Sequence, residues 1–219
     1  MIDTLLEKNW IPDFLIRSQI RRLNQRRLKS EAQKHANGYK AELVKELKSS
    51  PIAIETIAAN DQHYEVPPEF FERCLGKHLK YSCCYWPNEV SNLDQAESSM
   101  LELTCERAEL KDGQTILELG CGWGAISLWM AEQYPNSKIL SVSNSNDQRK
   151  FIETTAAQRG LQNLQVQTCD MNSFETDQTF DRVVSVEMFE HMKNYDELLR
   201  RINKWLNSEG KLFVHIFSH

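Results

Sequence analysis

The stretch VSVEMFEHM, residues 184–192, places Glu187, Glu190 and His191 within five residues. Two carboxylates beside an imidazole suit metal ligation, proton transfer, or simple polar capping of a helix start. Zinc ligation of the HExxH kind needs a second histidine, and Glu-x-x-Glu-His offers neither that nor a third clustered ligand. No metal is expected there. Acids favour helix N-termini, so capping accounts for Glu190, and for Glu187, without any chemistry. Acid/base and electrostatic work by all three stands beside that reading.

A second constellation is LELGCGWG, Leu117 to Gly124, where Gly120, Gly122 and Gly124 lie between a strand end and a helix start. Glycines there allow positive φ, a tight turn and close approach of backbone to a ligand. The spacing is GxGxG rather than the GxGxxG of dinucleotide sites. The following strand tip, SVSNSN, offers Ser143 and Asn144 but no acid for the ribose of NAD. Glu118 inside the loop and Asp170 further on are the other polar punctuation.

The elements that must position these residues follow from periodicity. Strands are predicted at 115–119, 138–143, 164–169, 181–188 and 211–217, separated by AISLWMAEQY, NDQRKFIETTAAQRG ending at Gly160, and YDELLRRINKWLNSEG ending at Gly210. Strand and helix alternating at this spacing imply right-handed crossovers and a doubly wound parallel α/β sheet. The fifth strand ends the sequence, so closing strands are missing and a fragment or shortened form is expected. Upstream, residues 91–110 read as a helix. Asn60 to Trp86 is aromatic-rich and interrupted by Pro67-Pro68, with a short helix after the prolines and then a loop. Residues 1–50 read as helical, with Ile11, Phe14, Leu15, Ile20 and Leu23 near the helical period and IRRLNQRRLK as a basic face. The division is therefore an N-terminal helical extension (1–59), a cap loop and helix (60–110), and a cofactor-binding domain (111–219).

Charge separates the same parts. Residues 1–50 carry 11 Lys and Arg against 6 Asp and Glu, whereas the remainder carries 15 against 25. The basic arm suits either a solvated helical face packed on the body or peripheral contact with an anionic membrane surface. No nucleic-acid motif accompanies it. No apolar run reaches the roughly 20 residues of a membrane span, and MIDTLLEKNW is not a signal peptide. Six cysteines without CxxC spacing read as reduced thiols of a cytoplasmic protein.

ILELGCGWG resembles the first motif of class I S-adenosylmethionine-dependent methyltransferases. With YSCCYW, SVSNSNDQ and VEMFEHMKNY in order around it, the chain resembles the cyclopropane fatty acid synthase group and its relatives, the coclaurine-type N-methyltransferases. CERAELKDGQTILELGCGWGA and VEMFEHMKNYDELL look most like the latter branch. The resemblance covers residues 60–219, and the N-terminal helices more loosely. It implies a Rossmann-like methyltransferase sheet with S-adenosylmethionine as cofactor. Gly120, Gly122 and Gly124 would wrap its methionine and ribose, with Glu118 beside them. Tyr81 and Ser82 would close over it, Ser143, Asn144 and Gln148 would hold the ribose, and Asp170 and Met171 would flank the adenine. Cys83-Cys84 would form a wall of the site, although buried small hydrophobes is the plainer reading of two such cysteines.

Two chemistries follow from the resemblance. Amine methylation needs carboxylates for the cation and an acceptor for its proton, roles open to Glu187, Glu190 and His191. Methylene transfer to a lipid alkene needs a bound bicarbonate held by Glu190, His215 and Cys83. His215 in FVHIF is equally readable as a satisfied core histidine. A small-molecule amine is the expected acceptor. A lipid, or a truncated form that binds cofactor without turnover, are the alternatives.

Overall fold

Five apolar runs pair side by side into one parallel sheet in the computed structural model, which describes residues 2–54 and 68–217. The chain divides into two compact units, Met1–Ser49 and Ser50–His219.

The first unit holds α1 (Ile2–Glu7), α2 (Asp13–Ala36) and α3 (Tyr39–Ser49). No side chain of α2 is buried. Phe14, Leu15, Ile20 and Leu23 stand exposed. Their steps of one, five and three residues wind around the helix, so these apolar positions do not share one face. Ion pairs one turn apart, Arg17–Asp13 at 2.6 Å and Arg27–Glu31 at 3.1 Å, line its surface instead.

The second unit contains α4 (Pro68–Cys74), α5 (Leu93–Arg107), β1 (Thr115–Leu119), α6 (Ala125–Gln133), β2 (Lys138–Ser143), α7 (Asn146–Gln158), β3 (Leu164–Thr168), β4 (Phe180–Val186), α8 (Tyr195–Trp205) and β5 (Leu206–His215). Strand order is β3-β2-β1-β4-β5, with every pairing parallel. Alternation along β1 sorts its side chains between two cores. Leu117 and Leu119 pack with Val183, Leu198 and Trp205 on one face. Ile116 joins Leu101, Ile126, Met130 and Val184 on the other. Sheet order reverses between β1 and β4, and ligands of open α/β sheets bind beyond the strand ends at such a switch point.

Helix starts are capped by side chains: Asn92 accepts Gln95 N–H at 3.0 Å, Ser145 accepts Gln148 N–H at 3.4 Å, and Asn194 accepts Glu197 N–H at 3.1 Å. β4 ends at Val186 rather than at residue 188, and the largest difference from expectation follows α8. α8 stops at Trp205, and β5 begins at Leu206 rather than at residue 211. Leu206 pairs with Phe180 before a register shift brings Lys211 opposite Arg182. Gly210 therefore does not end the helix. It lets the bulged backbone pass, since a Cβ there would lie 2.9 Å from the carbonyl oxygens of Asn207 and Phe180.

Residues 50–54 belong to the body. Ala53 exchanges two 3.0 Å hydrogen bonds with the Asn172 side chain, Lys193 N–H donates to Ile52 O at 2.7 Å, and Ile52 and Ala53 are buried. The unit boundary thus falls at Ser49/Ser50, ahead of the expected one at residue 59. Residues 60–67 of the expected cap segment, including Pro67, lie outside the described residues.

Gly124 precedes α6 at φ +83°, and a Cβ there would come within 2.6 Å of Ile152 Cγ1. Gly124→Ala is expected to lower stability by about 2–4 kcal/mol, combining left-handed backbone strain with core overpacking. Urea unfolding followed by circular dichroism measures it.

Candidate active site

A cavity of about 430 Å³ opens at the switch point, within the range of small-molecule sites. Turns at strand ends supply part of its lining, and α5, α6 and the cap loop contribute as well. Gly120 and Gly122 follow β1, at φ +83° and +52°. A Cβ on Gly120 would meet Met188 Cβ at 2.7 Å, whereas one on Gly122 would meet nothing within 4 Å. Gly120 thus permits contact between the loops after β1 and β4, and Gly122 leaves space for a ligand against bare backbone. Gly124, read from the sequence as a cofactor glycine, is not part of the lining. Its role is to pack α6 on α7.

Ser143, Asn144 and Gln148 line the cavity beyond β2. Ser143 Oγ donates to Gln148 Oε1 at 2.6 Å, and Gln148 Nε2 is buried without a partner. Beyond β3, Met171 and Cys169 line the wall. Asp170 between them does not. Its carboxylate accepts Asn172 N–H at 2.7 Å, and its carbonyl accepts the Ser173 and Phe174 amides.

Past β4, Glu187 has φ +51°, a rare conformation for a side chain with a Cβ. Its N–H donates to His215 O at 2.8 Å, so its backbone is tied to β5. Glu190 lies in a single 3-10 turn, Phe189–His191. One of its oxygens accepts Phe217 N–H at 3.1 Å, and the other, Oε2, is buried and has no hydrogen-bond partner among the described residues. Capping of α8 is done by Asn194, so the capping explanation of Glu190 lapses. His191 lines the cavity and is exposed to solvent.

The cap loop supplies the roof, through Tyr81 and Ser82. Tyr81 packs edge-on to Phe71, which contacts Trp123 of the glycine loop. Cys83 and His215 are not in the lining but meet beside it, with Sγ and Nε2 3.6 Å apart. Cys83 N–H points to Glu187 Oε1 at 3.4 Å. The carboxylate that joins this pair is Glu187, with all three ligand atoms within 4.8 Å of one another.

Two site residues had no signal in the sequence. Glu97, on α5, is fully buried, and its carboxylate accepts the N–H groups of Gly76 (2.8 Å), His78 (2.8 Å) and Lys80 (3.2 Å). This bundle of charge-assisted bonds shapes the start of the cap loop. Lys80 follows as a cavity-lining residue only 4% exposed. Its ammonium donates to Ser82 Oγ, and among the described residues no carboxylate forms an ion pair with it. Burial lowers its pKa. A buried acid in an apolar helix face, and a lysine preceding Tyr81-Ser82, were the only clues on offer.

Glu118 is buried on the α6 face of β1 and accepts the hydroxyls of Ser127 and of Ser141, the latter at 2.7 Å. Burial outweighs both bonds and pushes its pKa from 4.5 up to about 7. The folded chain therefore holds a proton there that the unfolded chain releases. This group's stabilisation is complete below about pH 4.5 and is lost as pH rises to about 7, a swing of roughly 3 kcal/mol. Glu118→Gln is expected to flatten the stability profile between pH 5 and 8, as read from urea midpoints across pH.

Comparison with known proteins completes the picture. The family model for mycolic acid cyclopropane synthetase matches residues 53–219. (S)-coclaurine N-methyltransferase of Thalictrum flavum subsp. glaucum is 43% identical over 217 residues, 98% of this chain and 60% of that protein. The crystal structure of coclaurine N-methyltransferase bound to N-methylheliamine and SAH superposes with a TM-score of 0.87 at 39% identity, over 97% of this chain and 62% of that one. Cyclopropane-fatty-acyl-phospholipid synthase of Escherichia coli (strain K12) is 35% identical over 156 residues, 70% of this chain and 39% of that protein. The chain spans 50–62% of the length of the N-methyltransferases it matches.

Proposed function

This chain belongs to the mycolic acid cyclopropane synthetase family, and from that premise we propose that it binds S-adenosylmethionine and acts in methyl transfer to the nitrogen of a small-molecule amine. The observation that carries the amine reading is Glu190 Oε2, a buried carboxylate oxygen lining the cavity without a donor. Such an oxygen is costly to bury unless a ligand supplies an N–H or a positive charge. Glu187 lines the same wall, so a cation meets two carboxylates. The similarity to coclaurine N-methyltransferase supports the same class of acceptor.

The cavity's own groups fit the cofactor. Gln148 Nε2 is an unpartnered buried donor, suited to a ribose oxygen. Gly122 leaves open space beside bare backbone. The Lys80 ammonium, with Ser82 Oγ as its partner, suits a carboxylate such as that of the methionine moiety. Tyr81 and Ser82 would cover the cofactor. When bound, it supplies an electrophilic methyl group on a sulfonium.

The remaining work falls to this chain. The amine must be neutral to attack, and methylation without proton loss leaves an ammonium. Glu190 and Glu187 orient the amine by its N–H groups and balance the charge it acquires. His191, at the solvent-facing edge, passes the proton outward. Excluding water behind the Tyr81 roof strengthens each of these interactions.

A second reading, methylene transfer to a lipid alkene, is favoured by the contact of Cys83 with His215, where a bicarbonate would be held. Glu187 beside both of them repels an anion, which ranks this reading below the first. The basic Met1–Ser49 unit would provide the membrane contact that a lipid substrate requires. No described helix is long and apolar enough to cross a membrane. A cytoplasmic setting fits the six free cysteines.

Isothermal calorimetry of the full chain should register S-adenosylmethionine binding, weakened at least tenfold by Lys80→Met, as loss of a charged hydrogen bond implies. Equal affinity for the two proteins would remove Lys80 from the cofactor site. With labelled cofactor and a panel of benzylic amines and phospholipids, methyl transfer is expected to the amines. Glu190→Gln should lower that turnover by roughly 10²-fold while leaving cofactor affinity within a factor of about two. Unchanged turnover would return Glu190 to a structural role.

A further inference from the structure

Cys83, Glu187 and His215 come from three separate parts of the fold: the cap loop, the turn after β4 and the end of β5. Their ligand atoms nevertheless converge, all lying within 4.8 Å of one another. Thiol, imidazole and carboxylate together make a donor set for Zn²⁺, whereas Mg²⁺ and Ca²⁺ take oxygen ligands. Distance agrees with chemistry. A tetrahedral zinc with Zn–S of about 2.3 Å and Zn–N of about 2.0 Å sets sulfur and nitrogen about 3.5 Å apart. Cys83 Sγ and His215 Nε2 are 3.6 Å apart.

The ligands are also held in place before any ion arrives. Glu187 N–H donates to the backbone oxygen of His215 at 2.8 Å, and the +51° φ of Glu187 fixes where its side chain leaves the chain. Cys83 N–H, directed at Glu187 Oε1 at 3.4 Å, ties the cap loop to the same pair. An anion between these groups would face the Glu187 carboxylate. A cation would be stabilised by it.

We propose that Cys83, Glu187 and His215 form a Zn²⁺ site at the edge of the cavity, and that zinc bound there shuts the site down. Three protein ligands leave a fourth position open. An amine entering the cavity binds zinc through its nitrogen lone pair, the same pair that methyl transfer requires. Zinc also fastens the cap loop to β4 and β5, which closes the entrance. Binding releases the thiol proton of Cys83, and no bond to carbon forms or breaks. The shutdown rests on the methyl-transfer reading above, whereas the metal binding does not.

The test uses the full chain stripped of metal. Zn²⁺ is titrated against a competing chromophoric chelator, and Co²⁺ in parallel as a spectroscopic probe. One equivalent should bind, with Co²⁺ giving a thiolate-to-cobalt absorption band in the near ultraviolet. Cys83→Ser should abolish that band. Cys83→Ser, His215→Gln and Glu187→Gln should each weaken Zn²⁺ binding, the first two by more than about 100-fold, beyond what changes around intact ligands cost. Cys74→Ser, an exposed thiol elsewhere, should bind as the parent does, and circular dichroism checks that each variant is folded. Absence of stoichiometric binding, or binding that Cys83→Ser leaves intact, overturns the proposal. Zinc binding through these residues in a chain that transfers no methyl group upholds the site and removes the methyl-transfer reading. Methyl transfer with no zinc binding does the reverse.

Discussion

The pairing of β1 with β4 is the constraint from which the site follows. Parallel register sets Leu119 opposite Ser185, so both chains leave the sheet at the same level and their turns meet. Only a residue without Cβ fits where they meet, because Met188 occupies the space above Gly120. The glycine loop and the acidic turn are thus one packed unit. A shift of either strand would separate the glycine-loop wall of the cavity from the carboxylates on its other side.

Charge within the body follows the same geometry. Four acids lie in or near the site, and each is handled differently. Glu97 is saturated by backbone amides. Glu118 meets two hydroxyls and leans toward its neutral form. Glu187 is turned toward the cap by an uncommon backbone angle, and Glu190 keeps one oxygen uncommitted. Glu118, Glu187 and Glu190 all line the cavity, and of these the Glu190 carboxylate keeps a buried oxygen without a donor among the described residues.

The sheet was legible in the sequence because parallel strands buried on both faces read as apolar runs. The predicted β1 and β2 coincide with the observed ones, 115–119 and 138–143. LNSEG at 206–210 was not legible as strand, since its pairing depends on a bulge opposite Phe180. Polar side chains at strand ends could be placed near the site, but spacing does not say which way a turn residue points. Asp170 and Gly124, read from the sequence as cofactor residues, are not among the residues lining the cavity. Glu97 went unread for a different reason: its partners are main-chain amides, which no residue type announces. The meeting of Cys83 with His215, 132 residues apart, was accessible only through family resemblance.

The strand order also sets a timetable. A chain emerging from the ribosome offers β1, β2 and β3 as adjacent partners long before β4 and β5 exist. The half of the cavity that would hold the cofactor can therefore take shape early, from neighbouring segments with modest loop-closure cost. The carboxylate half waits for β4 to enter beside β1, and Glu190 gains the Phe217 amide later still. A nascent chain halted after β3 would thus present glycine-loop backbone to solvent with nothing to press against it. On this view the residues that complete the carboxylate side of the cavity are made after those of its glycine-loop side.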